Sequence, residues 1–87
     1  MSNIRKFQIS EQYLWGFNTN IDIDEVESIE EIINIVLNRC ENFLRENNLL
    51  GLVDYLNDKK NGFHIHNYSF ENILMSEPNV EFYVCCH

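Results

Sequence analysis

The sequence predicts one small α+β domain, in which a three-stranded sheet carries two to three helices on one face. Three observations lead to this fold class. The chain has 87 residues, the size of a single domain. Apolar and polar residues alternate near both ends of the chain, as they do in half-buried strands. Between these segments, apolar residues recur every three or four positions over four turns, as in an amphipathic helix. The predicted element order is β-α-α-β-α-β.

The first predicted strand runs from Phe7 to Phe17, where aromatic and β-branched residues occupy alternate positions. Glu11 interrupts the apolar side, so a bulge or a division into two short strands also fits the pattern. The next residues, 18–20, are Asn-Thr-Asn and predict a turn. Aromatic residues in such a strand are more often buried than exposed. We therefore expect three of them in the core rather than at an interface: Tyr13, Trp15 and Phe17.

The longest predicted helix covers residues 28–46. Ser28 and Glu31 have the spacing of a capping box at its start. Its apolar positions form a single stripe, which predicts that one side of the helix packs on the sheet. The stripe consists of Ile29, Ile32, Ile33, Val36, Leu37, Cys40, Phe43 and Leu44.

The second half of the chain predicts two shorter helices and two strands. A helix follows from the leucines and valine of residues 49–56, and a strand from Phe63 to Asn67. Ser69 is placed to cap a short helix that ends before Pro78. The last strand runs from Val80 to Cys86. The helical connection between these two strands predicts that they are parallel neighbours joined by a right-handed crossover.

The charge of the chain indicates which partners suit it. Fourteen acidic and six basic residues give a formal net charge of −8, which disfavours nucleic acid and anionic membranes as direct ligands. A protein partner with a basic surface is compatible with this charge, and self-association stays open. Four acidic residues before the long helix are the candidate contact, although a solvated helix start is the simpler interpretation. They are Asp22, Asp24, Glu25 and Glu27.

The sequence also indicates where the protein is expected to reside. The first residues form no secretory signal, and no apolar run is long enough for a membrane span. Two of the three cysteines are adjacent, which is unlike a secreted disulfide framework. We therefore expect a location inside a cell, in the cytoplasm or nucleus.

The sharpest chemical pattern lies near the C-terminus. If the apolar residues of the last two strands face the helices, the other face carries two histidines from one strand and a cysteine and a histidine from the next. Imidazole and thiolate groups are the ligands that zinc prefers. The candidate ligands are His64, His66, Cys85 and His87. An open polar face without metal is the alternative, and a catalytic pair of Cys85 or Cys86 with a histidine is a weaker one.

The segments 63–74 and 80–87 resemble a family of small uncharacterised proteins from large (giant) DNA viruses. The residues that carry the resemblance are the His-x-His of His64 and His66, the helix segment 70–74 and the closing Cys85-Cys86-His87. The resemblance implies a viral protein, but no particular activity. Together with the charge, it leads us to expect a non-enzymatic interaction module that binds or inhibits a host protein, without a cofactor.

Overall fold

Two strands near the start of the chain form a hairpin, β1 (Ile4–Ser10) and β2 (Asn18–Asp22). They belong to a computed structural model that describes residues 3–86. The prediction of one strand from Phe7 to Phe17 was wrong in its second half, because residues 11–16 form the connecting turn. The Asn-Thr-Asn sequence predicted as a turn begins β2 instead. Pairing with β1 outweighs the low strand propensity of asparagine there.

Three helices follow: α1 (Ile29–Glu46), α2 (Leu50–Lys59) and, later in the chain, α3 (Phe70–Leu74). The predicted long helix is confirmed, and Ser28 Oγ accepts a hydrogen bond from the Glu31 backbone N–H at 3.2 Å. The Glu31 carboxylate, however, accepts from the Glu27 N–H rather than from Ser28, so only half of the predicted capping box forms. Within residues 3–86, no helix is both long and apolar enough to cross a membrane.

The remaining strands, β3 (Phe63–Ile65) and β4 (Glu81–Cys86), complete a four-stranded sheet in the order β2-β1-β4-β3. The fold class is α+β as predicted, with four strands in place of three. The predicted parallel pairing of the last two strands was wrong, because β3 and β4 are antiparallel. The parallel neighbour of β4 is β1, so the true crossover spans most of the chain.

Buried and exposed side chains alternate along the two central strands, β1 and β4, so the two faces of the sheet differ in burial. Phe7 and Ile9 of β1 and Phe82 and Val84 of β4 are fully buried, and the rings of Phe7 and Phe82 stack at 5.4 Å between centroids. These side chains pack with the apolar stripe of α1 in one hydrophobic core. Side chains of the opposite parity, such as that of Tyr83, stay partly or largely exposed. One face of the sheet is therefore covered and the other is open.

A buried arginine ties β1 to the loop after α3. Arg5 is only 4 % exposed, and its guanidinium donates to Ser76 Oγ at 2.9 Å and to Asn3 Oδ1 at 2.7 Å. It also donates to the backbone carbonyls of Ile4 and Ser76. Neutral oxygens thus satisfy a buried charge, which makes this residue part of the scaffold.

Candidate functional site

The structure brings part of the predicted zinc cluster together. His64 of β3 and Cys85 of β4 are direct cross-strand partners on the open face. The Nε2 atoms of His64 and His66 lie 2.7 Å apart. His64 Nδ1 lies 3.2 Å from the carbonyl oxygen of Gly62, which can only accept a hydrogen bond. These distances fit a tautomer in which His64 donates through Nδ1 and accepts from His66 through Nε2.

A complete metal site is not seen in the described part of the chain. Among residues 3–86, no three histidine, cysteine or acidic side chains are arranged to hold an ion. His87, the fourth predicted ligand, lies outside these residues. Zinc binding by His64, His66, Cys85 and His87 stays a prediction.

The two adjacent cysteines lie on opposite faces of β4. Cys86 pairs with the buried Phe63 and packs against the core, and its Sγ lies 3.9 Å from the backbone oxygen of Lys59. Cys85 is therefore the cysteine that shares a face with His64. The weaker hypothesis of a catalytic pair of Cys85 or Cys86 with a histidine stays a prediction.

The predicted acidic contact lies at one end of the sheet, and we call its four residues, Asp22, Asp24, Glu25 and Glu27, the acidic end. Asp22 closes β2, and its Oδ1 accepts hydrogen bonds from the backbone N–H groups of Asp24 and Asn3 at 3.0 and 3.3 Å. Its carboxylate thus caps the short 3₁₀ turn Ile23–Glu25. Asp24, Glu25 and Glu27 are exposed. Asp22 therefore stabilises the local fold, and the role of the acidic end in partner binding stays a prediction.

A second candidate surface, which the sequence interpretation missed, lies at the opposite end of the sheet. We call it the aromatic end. Its large apolar side chains come from the turn between β1 and β2, the last turns of α1 and the start of α2. They are Tyr13, Trp15, Phe43, Leu49 and Leu50. Trp15 is 66 % exposed and Tyr13 is 58 % exposed, so the expectation that these two belong to the core was wrong.

The exposure of Trp15 follows from the turn. The alternation that predicted burial holds only while the chain is extended, and residues 11–16 are not. Gly16 has a φ of +96°, a conformation that suits glycine and helps to direct the chain back into β2. Phe17, beyond the turn, is half-buried and packs beside Phe43, with 5.7 Å between ring centroids. The signal that the interpretation underused was a turn-forming Gly16 next to two aromatic residues.

The aromatic end encloses an apolar groove of about 380 Å³. Trp15 and Phe43 contribute to its walls, while the buried Leu14, Cys40 and Leu44 also line it. Burial raises the pKa of the Cys40 thiol to about 11, so this sulfur stays protonated at neutral pH. The groove falls within the size range of binding pockets for a small apolar group. Its lining is therefore mainly apolar.

One polar group lies beside this groove. Glu11 Oε1 accepts hydrogen bonds from the Tyr13 backbone N–H at 3.0 Å and from the Tyr55 hydroxyl at 2.8 Å. Glu11 Oε2 is buried and accepts no hydrogen bond within the described part of the chain. Glu11 and Trp15 line a shallow hollow of about 260 Å³ together with Ser10 and Gln12. The groove and the hollow therefore share Trp15.

The hydrogen bond from Tyr55 to Glu11 also changes the acidity of the phenol. Since ionised Tyr55 would lose this bond and face the negative carboxylate, the pKa of Tyr55 rises to about 12. The rings of Tyr13 and Tyr55 meet edge to face at 5.1 Å. Glu11 thus holds α2 and the β1–β2 turn in a fixed relation beneath the aromatic end.

No protein-family model matches this chain, and searches of curated proteins and of solved structures find no similar protein. The resemblance to proteins of large DNA viruses stays a prediction.

Proposed function

We propose that this chain is a non-enzymatic protein–protein interaction module and that the aromatic end is its docking surface. The observation that carries the proposal is the exposure of Trp15 at the rim of an apolar groove. Contiguous apolar surface of this kind commonly marks an interaction site in a monomeric domain. Tryptophan and tyrosine are also the residues most enriched among those that dominate binding energy at interfaces.

The aromatic end is held rigidly, which supports a binding role. The turn is closed by a hydrogen bond from the Ile9 N–H to the Phe17 carbonyl at 2.9 Å. The junction of α1 and α2 is closed by a bond from the Leu49 N–H to the Leu44 carbonyl at 2.8 Å. A preorganised surface loses less conformational entropy when a partner binds.

The proposal extends to the biological setting. The sequence resemblance favours a viral factor that binds or inhibits a protein of the host cell. The net charge of −8 favours a partner with a basic surface. An intracellular location is proposed with it, because such a partner would be met inside the host cell.

A photocrosslinking amino acid placed at position 15 tests the docking surface in extracts of candidate host cells. The matched control carries the same group at Met75, which is 85 % exposed and lies outside the aromatic end. We expect one protein to crosslink from position 15 and not from position 75. Crosslinking of the same proteins with equal yield from both positions, or from position 75 alone, would contradict the proposal.

A zinc site is a second candidate function, favoured by the 2.7 Å approach of the His64 and His66 Nε2 atoms. His64 and His66 would supply imidazole nitrogens to the metal, and Cys85, the cross-strand partner of His64, would supply a thiolate. Elemental analysis after purification without chelator or metal resin tests this. One zinc per chain that is lost in the variant His64→Ala would support the site. A zinc content below about 0.1 equivalents per chain would reject the site.

A further inference from the structure

The buried oxygen of Glu11 indicates what kind of side chain the aromatic end receives. A buried carboxylate oxygen normally accepts a hydrogen bond, since its water has been removed. Glu11 Oε1 has two donors, whereas Oε2 has none within residues 3–86. A partner that supplied a donor to Oε2 would complete the hydrogen bonding of this carboxylate.

The basic residues of this chain do not supply that donor. Five of the six have other contacts, and none of the ion pairs in the described residues involves Glu11. Lys59 lies beside Tyr55, the donor to Glu11, with its Nζ 5.6 Å from the centroid of the Tyr55 ring. The five are Arg5, Lys6, Arg39, Arg45 and Lys59.

A second copy of the chain is also a poor source of the donor. Each copy carries a net charge of −8, so two copies repel each other. A cationic segment of a different protein is attracted by the same charge. Charge complementarity therefore favours a basic partner over a dimer.

The neighbourhood of Glu11 suits a guanidinium group in particular. Trp15 shares the hollow with Glu11, and the planar guanidinium of arginine stacks on indole rings while it donates hydrogen bonds to carboxylates. The lysine ammonium donates as a point charge and lacks the planar stacking surface. The adjoining groove, with which the hollow shares Trp15, then accepts an apolar side chain next to the arginine.

We infer that the aromatic end binds a partner segment that combines arginine with a neighbouring apolar residue. The arginine stacks on Trp15 and donates to Glu11, and the apolar side chain fills the groove. This inference rests on the proposed function and specifies the partner. The donor must enter between the side chains that line the hollow, because Oε2 is buried in the unbound chain.

The test uses two short peptides, acetyl-Leu-Arg-amide and acetyl-Leu-citrulline-amide, which differ in charge and hardly in shape. Trp15 is the one tryptophan of the chain, so its fluorescence reports directly on the hollow. We expect the arginine peptide to perturb this fluorescence at a concentration about tenfold lower than the citrulline peptide does, at low salt. Glu11→Gln should abolish the preference.

The matched control is Glu46→Gln, which makes the same change of charge at the exposed last residue of α1. It should retain the preference for arginine, because the preference depends on a local contact rather than on net charge. Circular dichroism checks that both variants are folded, and the comparison of the two peptides on the wild-type chain needs no variant.

Equal effects of the two peptides, or none from either, overturn the inference. A preference that survives Glu11→Gln overturns it as well. Neither result affects the proposed docking surface, which is tested by crosslinking at position 15. Conversely, if position 15 gave no crosslink that position 75 lacks, the docking surface would be overturned even if the small peptide bound.

Discussion

The aromatic end and the acidic end of the sheet use their side chains in opposite ways. At the acidic end, the Asp22 carboxylate caps a 3₁₀ turn, and just beyond it Ser28 and Glu31 bind backbone N–H groups at the start of α1. These three side chains have partners within the chain, whereas Asp24, Glu25 and Glu27 are exposed. At the aromatic end, Trp15, Tyr13 and Phe43 stay exposed, and the adjacent Glu11 has a buried oxygen that receives no donor within residues 3–86.

This difference separates two contributions to binding. Exposed carboxylates act at a distance and raise the rate of encounter with a basic partner, but each adds little to affinity. Exposed aromatic side chains act at contact, where their burial supplies most of the affinity. The two ends would therefore affect association and dissociation differently, although they belong to one small domain.

The largest loss of stability is expected from a core substitution that unfolds the domain and with it both ends of the sheet. Val36 is fully buried in the middle of α1, which packs against β1, β2 and β3. Val36→Asp buries an unpaired charge and should cost about 4 kcal/mol or more, enough to unfold a domain of this size. Asn38→Asp, an exposed change in the same helix, should leave the melting temperature nearly unchanged. A cooperative transition of Val36→Asp close to that of the wild type would refute the placement of α1.

The next largest effect on stability should distinguish the buried Leu14 from the exposed Trp15. Leu14 is 4 % exposed, so Leu14→Ala should reduce the free energy of unfolding by about 2–4 kcal/mol. Trp15→Ala should change it by less than about 0.5 kcal/mol, because that ring is largely exposed. The same Trp15 variant should weaken binding of the crosslinked partner at least about tenfold, through faster dissociation. Urea unfolding and surface plasmon resonance measure the two effects. Similar losses of stability in both variants would show that Trp15 is part of the core.

Near the acidic end, two adjacent basic residues should contribute very differently to stability. Arg5 is buried and makes its hydrogen bonds within the chain, so Arg5→Met should cost about 2–4 kcal/mol by leaving those acceptors unpaired. Lys6→Met, at the next residue, removes an exposed ion pair with Glu81 and should cost less than about 1 kcal/mol. Equal costs in chemical denaturation would show that Arg5 is not a structural residue.

The acidic end should influence binding kinetics with little effect on stability. Reversing Asp24, Glu25 and Glu27 to lysine should leave the fold nearly intact, because these side chains are exposed. Association with a basic partner should slow several-fold (about 3–10-fold) and depend less on salt, while dissociation stays nearly constant. An unchanged association rate at low salt would remove the acidic end from the proposal.

The smallest effect concerns Tyr55 beneath the aromatic end. Its pKa is raised from 10.0 to about 12, so the folded state holds this proton more tightly than the unfolded state does. The stabilisation is therefore fully present below about pH 10 and is lost as the pH rises through 12. Tyr55→Phe should weaken this alkaline dependence, as measured by chemical denaturation across that range. The same slope in both proteins would contradict the hydrogen bond to Glu11.

Much of the helical structure was determined by patterns between residues that are close in the sequence. The apolar stripe of α1, the Ser28 cap and the cap at Ser69 depend on residues three or four apart, which are neighbours in any helix. The alternation in β4 likewise separates its buried and exposed residues correctly. For the same reason, His64 and His66 could be predicted to lie together.

Tertiary structure alone decided the pairing of the strands and the character of the two ends. The parity of a strand shows which side chains share a face, but not which strands lie beside it or in which direction they run. The sequence pattern therefore carried no local signal that β4 pairs parallel to β1 and antiparallel to β3. The bond between Glu11 and Tyr55 joins residues 44 positions apart. Trp15 is exposed because the chain turns there and no other segment covers it within residues 3–86. Burial depends on such distant neighbours, and short-range periodicity carries no information about them.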